Sequence, residues 1–448
     1  MSIWDKFVNR KGVIQNGDTG KVAMDFYHSY SKDIPLFFKS TGINTYDATL
    51  AWTRILPTGT EKTPNKAGIE YYRNVAKAVH AQGGKFTATL YHWDLPQTLQ
   101  DKYKGWLSPK IVADFEHYAR TTIEALGDVV DDWVSMNEPR TFCTEGYAPD
   151  PESAPGYKGK LMDQYYCVHH ALLAHTKAHQ VWKDLKAKGK AKGRFGIKID
   201  GGALIPYHPN DPKDKAAALR GMDFTEAGWL LGPLSTGDYP PVIRETLGNR
   251  LPRFTKAESA ALKTSFDLVY YDSYTSAWAK HVDNCTEKNE NWPSCVATTQ
   301  ERPDGTKIGL ATGSDWNFIV PNTTYDVLNY AYDRWHIKNL AVGETGIAIG
   351  NSHNQTLTQK LHDHLRIQSY RWTLKQLDWI LQEGKINLEG FVFWSCIANF
   401  EWSNGYQADF GVIAADPGKN KPRHPKQSAF YLRDVFRRGL QSDSMKWG

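Results

Sequence analysis

The sequence predicts a single large α/β domain built on a parallel sheet, and three observations lead there. The 448 residues contain no Pro/Gly/Ser-rich linker, low-complexity tract or fixed-period repeat at which to divide them, and barrels of the α/β class run long as one unit. Short apolar runs of strand character alternate with amphipathic stretches almost throughout, the order that gives parallel strands with right-handed crossovers. The C-terminal ends of those runs collect chemistry-bearing side chains, namely His92, Asn137, Glu138, Tyr274, Glu344 and Trp394. That is where barrels of this class carry their active sites.

Taken in order, the first run is "INTYDATLAW" (43–52). Tyr46, Ala48 and Leu50 alternate with Asp47, Thr49 and Ala51, and a carboxylate in mid-strand is costly to bury without a partner. In "GIEYYRNVAKAVHAQGG" (68–84), Ile69, Tyr72, Val75, Ala76 and Val79 form one helical face before a Gly83-Gly84 stop. The strand "KFTATLYHW" (85–93) follows, then a helix opening at Ser108-Pro109, an N-cap with proline at the first helical position. That helix ends near Gly127. The remaining strands are "DDWVSMNE" (131–138), "RFGIKID" (194–200), "FDLVYYDSY" (266–274), "NLAVGET" (339–345) and "EGFVFWS" (389–395). Seven strands are countable this way, whereas a closed (β/α)8 barrel needs eight. Either one strand escapes the pattern or the sequence lacks one.

Composition excludes several classes. Hydrophobic content of 41% and charged content of 23% are those of an ordinary soluble globular protein. No stretch approaches the roughly 18 apolar residues of a membrane span, and Met1 opens no signal-peptide pattern. The net charge of +5 is small, and its densest basic run, "KDLKAKGKAKGR" (183–194), has no interleaved aromatics. It reads as solvated surface, with no nucleic-acid or membrane partner expected. Five cysteines show no metal-ligand spacing. Cys285 and Cys295 bracket a polar loop and could pair, while Cys143, Cys167 and Cys396 lie in apolar segments as expected core thiols. With three glycosylation sequons, at Asn284, Asn322 and Asn354, the Cys285–Cys295 pair tilts towards secretion while leaving the compartment open. His175 and His179 have the spacing of a zinc pair on a helix but lack the glutamate of an "HExxH" motif, so no metal or cofactor is expected. Sixteen tryptophans suit a core and also a protein that stacks on sugar rings.

Glu138 ends one strand in "SMNEP" and Glu344 another in "AVGETG". Two carboxylates at strand ends are the minimum for glycoside hydrolysis, one to protonate the leaving oxygen and one to attack or to activate water. On spacing alone, each could equally cap a following helix.

The wider sequence resembles glycoside hydrolase family 1, the retaining β-glycosidases, over essentially its whole length. The stretches that carry the resemblance are "SIWDKF", "NGDTGKVAMDFYHSY", "WTRILPTG", "LYHWDLPQTLQDKYKGWLS", "NEPRTF", "NFEWSNGY", "FGVI" and "PKQSA". The resemblance implies a (β/α)8 barrel spanning 1–448 as one domain, with its first strand apparently absent from the sequence. A separate segment or chain would then supply that strand. It also implies hydrolysis of unphosphorylated β-glycosides or oligosaccharides, with transfer to a sugar as the same chemistry. Glu138 matches the acid/base and Glu344 the nucleophile. His92, Asn137, Tyr274, Trp394, Glu401, Trp402 and Phe410 match substrate-binding positions, Tyr274 also bonding the nucleophile.

Departures from the family pattern cluster around Glu344. The family places arginine at Asp47, asparagine at Asp272, threonine at Gly343, asparagine at Thr345 and aspartate at Ala398. With the arginine that ordinarily pairs with the nucleophile absent, Asp47 is expected to face Glu344 as a like charge, with Asp272 as a third carboxylate. These changes also admit a rival reading, a glycoside-binding pseudoenzyme without turnover.

Overall fold

The structure is a computed structural model that describes residues 1–350 and 354–439. Seven strands form one parallel sheet: β1 Thr45–Thr49, β2 Lys85–Thr89, β3 Asp132–Val134, β4 Phe195–Asp200, β5 Leu268–Asp272, β6 Asn339–Glu344 and β7 Asn387–Phe391. They lie side by side in chain order, so every connection returns to the neighbouring strand. All seven strands read from the sequence are present. The third, Asp132–Val134, is shorter than its apolar run, although Ser135 N still donates to Gly196 O and Lys198 N to Met136 O on the way to Glu138.

Helices cover the outer face. Helix α1 (Phe26–Thr41) precedes β1; α2 (Lys66–His80), α3 (Lys110–Leu126), and α4 (Pro139–Tyr147) with α5 (Asp163–Ala187) make the next crossovers. Helix α6 (Thr323–Trp335) joins β5 to β6, α7 (His364–Glu383) joins β6 to β7, and α8 (Gln427–Arg438) closes the described chain. In α2, Asn65 caps Ala67 N and the face of Tyr72, Val75, Ala76 and Val79 is buried, as its periodicity requires. The main core lies between this helical layer and the outward side chains of the sheet, among them Trp133, Ile197, Ile199, Val269, Tyr271, Leu340 and Val342. A smaller core fills the inner face with Val134, Leu268, Tyr270 and Ala341.

β4 and β5 are buried along their whole length, whereas every residue of β1 is half-exposed. β1 pairs only with β2, and β7 only with β6. No eighth strand joins the sheet among the described residues. A cavity of about 1000 Å³ lies where β1 and β7 face one another, and it reaches inward to His92, Lys198 and Glu344.

The cysteine expectation needs one correction. Cys285 and Cys295 are bonded, but so are Cys143 on α4 and Cys167 on α5, with Cα atoms 5.6 Å apart. Apolar neighbours made both read as isolated thiols; the packing of α4 on α5 brings them together. Only Cys396 is a free thiol among the described residues. His175 is fully buried between the Ser135 and Ser265 hydroxyls, 2.7 and 3.0 Å away, which makes it a satisfied core histidine. The basic run ends α5 and is partly ion-paired, Lys192 with Asp131 and Arg194 with Asp132 and Glu389.

Candidate active site

Beyond β3 the chain continues extended, and Asn137 N donates to Tyr91 O (2.8 Å) while Glu138 N donates to Lys198 O (3.1 Å). Glu138 then turns with a φ of 45°, and Pro139 starts α4. No hydrogen bond from the helix caps the Glu138 side chain; it lines a cavity instead. Glu344 is the last residue of β6 and no helix follows it directly. The helix-cap reading therefore fails for both glutamates. One carboxylate oxygen from each of Glu138, Asp272 and Glu344 lies within 4.8 Å of the other two, and all three residues are buried.

Glu344 is held from several strands. Tyr274 Oη donates to Oε2 at 2.9 Å, and Lys198 Nζ approaches Oε1 at 3.3 Å. With its amide turned so that Oδ1 accepts from His92 Nε2 (3.2 Å), Asn137 Nδ2 donates to Glu344 Oε1 (3.3 Å) and Asp272 Oδ2 (3.2 Å). The opposite orientation would set the amide oxygen against the Glu344 and Asp272 carboxylates. Burial, with Lys198 adding to it, pushes the His92 imidazole down to about 3, so the ring is neutral at ordinary pH.

Asp47 does not stand alone against Glu344. Its Oδ1 accepts from Thr89 Oγ1 (3.0 Å), and its Oδ2 lies 2.8 Å from Lys198 Nζ. The counter-charge expected to be missing is thus present, supplied from β4. Sequence reasoning passes over Lys198, although a lone lysine in the buried run "FGIKID" is as anomalous as a lone aspartate in "TYDAT", and opposite anomalies of that kind can pair.

Burial raises Glu344 above the usual carboxylate range, while Lys198 and Tyr274 pull it back. Glu138 is raised well above that range by burial, then by Asp200 and Glu344. Asp272 is raised well above it by burial and by Glu344. The two glutamates therefore differ in kind. One is aided in staying ionised by an ammonium and a phenol, the other is favoured as the neutral acid. Three close carboxyl groups are also an oxygen set of the sort that holds cations, but Lys198 already meets Glu344 and we assign none of them that role. His208, Asp211 and Asp214 approach one another at the start of the helix Pro212–Phe224, where Asp211 caps Lys213 N and Asp214 accepts from His208, and this accounts for them.

The remaining sequence-predicted residues surround the same cavity of about 720 Å³. Trp394 Nε1 (3.1 Å) and Asn399 Nδ2 (3.0 Å) donate to Glu401 Oε2, and burial carries Glu401 up to about 7. Trp402 stacks on Trp93 with ring centres 4.5 Å apart. Phe410 is almost wholly buried and meets Tyr274 edge-on at 5.9 Å, so it backs the tyrosine more than it faces the cavity. Asp47 lines the cavity beside β1, and the two cavities meet at His92, Glu344 and Trp394. Residues to which the sequence reading gives no role also line the site. Arg140 is ion-paired with Asp200 beside Glu138, and Trp316, 40% exposed, lies against Tyr274 and Phe410.

Gly343 has a local reason to be glycine. A Cβ there would meet Asp272 Oδ1 at 2.4 Å and Tyr270 Cβ at 2.8 Å. Thr345 O accepts from Trp394 N (2.8 Å), and Ala398 packs with Met24 and Tyr406; nothing in the structure explains either identity.

The comparisons agree with this architecture. Residues 1–439 match glycosyl hydrolase family 1. A β-glucosidase 24 of Oryza sativa subsp. japonica is 36% identical over 97% of this chain and 88% of its own length. The raucaffricine-O-β-D-glucosidase of Rauvolfia serpentina is 32% identical over 98% and 86%. Among solved structures, a mutant of the rice Os3BGlu6 β-glucosidase in a covalent complex with Glc superposes with a TM-score of 0.92 at 32% identity, covering 97% of this chain and 92% of that one. A family 1 β-glucosidase from the fungus Humicola insolens in complex with glucose gives 0.92 at 31%, covering 98% and 93%. The fold is therefore of the α/β barrel class, and the chain belongs to glycosyl hydrolase family 1, as a β-glucosidase-like retaining glycosidase that hydrolyses O-glycosyl bonds.

Proposed function

We propose that the chain cleaves unphosphorylated β-glycosides by double displacement, with Glu344 as nucleophile and Glu138 as acid/base. The observation that carries the assignment is the pair itself. One carboxylate oxygen of each lies within 4.8 Å of the other's, a close approach in keeping with the short spacing of retaining sites, about 5–5.5 Å between carboxyl groups. Glu344 attacks the anomeric carbon while Glu138 gives its proton to the leaving oxygen. Glu138 then takes a proton from water, or from a sugar hydroxyl when the acceptor is a sugar. Asn137, next to Glu344 Oε1, is placed for the substrate 2-hydroxyl, His92 and Glu401 for outer hydroxyls, and Trp394 for the ring face. A carboxylate at Glu401 disfavours a phosphorylated sugar by like-charge repulsion.

Nitrophenyl β-glycosides test the activity, and a 2-fluoro glycoside with a good leaving group tests the roles. Labelling of Glu344 alone is expected, and labelling elsewhere or none overturns the assignment. The space between β1 and β7 suits a further extended segment. Supplying one is expected to raise the melting temperature, and an unchanged value would count against such a partner.

A further inference from the structure

We propose that Lys198 is the positioning residue of Glu344, keeping the nucleophile ionised before attack, and that Asp47 keeps the Lys198 ammonium paired once Glu344 has become an ester. This inference rests on the glycosidase reading above. The three groups come from three separate strands: Asp47 from β1, Lys198 from β4 and Glu344 from β6. The lysine side chain is only 4% exposed, so its charge leans on these two carboxylates.

The charged and titratable groups facing Glu344 are Lys198, Asp47, Asp272 at the end of β5, Glu138 beyond β3, Tyr274 beyond β5, and Glu401, with His92 neutral nearby. Lys198 is the cation in that set, so the ionised state of Glu344 depends on it. The two contacts are unequal. Lys198 Nζ lies 2.8 Å from Asp47 Oδ2 but 3.3 Å from Glu344 Oε1. Asp47 is itself anchored, since Thr89 fills its other oxygen. The ammonium therefore belongs first to Asp47, and Glu344 keeps a carboxylate that is stabilised without being locked.

The chemistry explains why two carboxylates serve one lysine. As a Glu344 oxygen bonds to the anomeric carbon, the bond from that carbon to the leaving oxygen breaks. The leaving oxygen takes the electron pair and then the Glu138 proton. Glu344 passes from an anion to a neutral ester, and Lys198 loses one of its partners. A buried ammonium with no partner is strongly unfavourable. Asp47 prevents that state, so the glycosyl-enzyme is not penalised for neutralising its nucleophile. Hydrolysis of the ester restores the original pair.

Three variants of the full chain test the assignment: Lys198→Met, Lys198→Arg and Asp47→Asn. In Lys198→Met the acid limb of the kcat/KM profile should move up by about one pH unit or more, as loss of an opposite charge requires, and Lys198→Arg should restore most of that shift. In Asp47→Asn the limb should move down, since a like charge is gone. Glycosylation should nevertheless slow at least tenfold relative to deglycosylation, which lowers the burst on an activated aryl glycoside. A purely structural lysine would move neither limb nor burst. Carbon-13 carboxyl titration of Glu344 gives an activity-free reading, with its midpoint raised in Lys198→Met and lowered in Asp47→Asn. Unmoved midpoints in the folded variants overturn the inference. If Lys198→Met does not fold, the midpoint in Asp47→Asn alone upholds or overturns it. Failure of the 2-fluoro glycoside to label Glu344 in the unmodified protein would instead sink the glycosidase reading, leaving the charge coupling to the titration.

Discussion

Gly343→Ala adds one methyl group to the inner wall of the sheet, directly beside the nucleophile. Two effects oppose each other. Removing a glycine stiffens the unfolded chain, a gain of about 0.4–1 kcal/mol where the native backbone accepts alanine. Against it stands overpacking, typically about 1–3 kcal/mol in a close-packed interior. The structure decides between them. The new Cβ would meet Tyr270 Cβ at 2.8 Å, an atom fixed to the backbone of β5 that no rotamer change removes. It would also meet Asp272 Oδ1 at 2.4 Å, and Asp272 is tied to Asn137 on its other oxygen. Overpacking should win by about 1–2 kcal/mol net. At about 2.1 cal/mol/K per residue of unfolding entropy, that lowers the melting temperature of a chain of 448 residues by about 1–2 °C, within reach of calorimetry. Asp272 pressed towards Glu344 should also move the acid limb of kcat/KM upward. Gly343→Thr, which restores the residue family resemblance would place there, should cost more than alanine. The reasoning is refuted if Gly343→Ala is as stable as the parent and its acid limb is unmoved.

Asp200→Asn removes the charge that, after burial, does most to raise Glu138, and it frees Arg140 to act on that carboxyl. The folded acid then loses its proton more readily, so the basic limb of kcat/KM should move down by roughly half a pH unit or more; an upward move would contradict the assignment. Glu401, raised to about 7, is a carboxylate above that pH and a neutral acid below it. KM for a neutral glycoside should rise as pH falls through 7, and Glu401→Gln should flatten that dependence. Removing the Cys143–Cys167 bond by a double alanine substitution frees a loop with a sequence separation of 24. Chain entropy sets the loss at about 3.5 kcal/mol, or about 4 °C in melting temperature, and an unchanged melting temperature would show the bond to be redundant.

Much of the fold is legible because buried parallel strands read as unbroken apolar runs. β5 and β6 show this directly, β4 does so apart from Lys198, and each lies where its run predicts. The apolar run of β3 extends past the strand's assigned end at Val134, and its backbone goes on bonding to β4, Ser135 N to Gly196 O and Glu138 N to Lys198 O, with Asn137 N turned to Tyr91 O on the other side. Glu138 and Glu344 are legible as strand-end carboxylates in specific motifs. The Lys198–Asp47 pair is legible only as two unexplained charges, because nothing local says that β1 and β4 point them across the same interior. Likewise the Cys143–Cys167 bond depends on how α4 packs on α5, which periodicity within either helix does not encode. Gly343 reads as a loss until Tyr270 is seen occupying the space a side chain would need.

The two disulfides differ in what a reducing agent could reach. Cys285 and Cys295 are half-buried in a surface excursion, whereas both cysteines of the inner bond are fully buried, joining α4, the helix that follows Glu138, to α5. A small thiol should cut the first bond in the native protein. It can cut the second only when α4 lifts from α5, so the slow phase of reduction measures that opening. Followed with and without a tight-binding glycoside, the slow phase becomes a clock for how firmly occupancy of the cavity clamps the helix behind the acid/base. Preparations kept in reductant for long storage would gradually lose that clamp, and two batches of identical sequence could then differ in activity according to their handling alone.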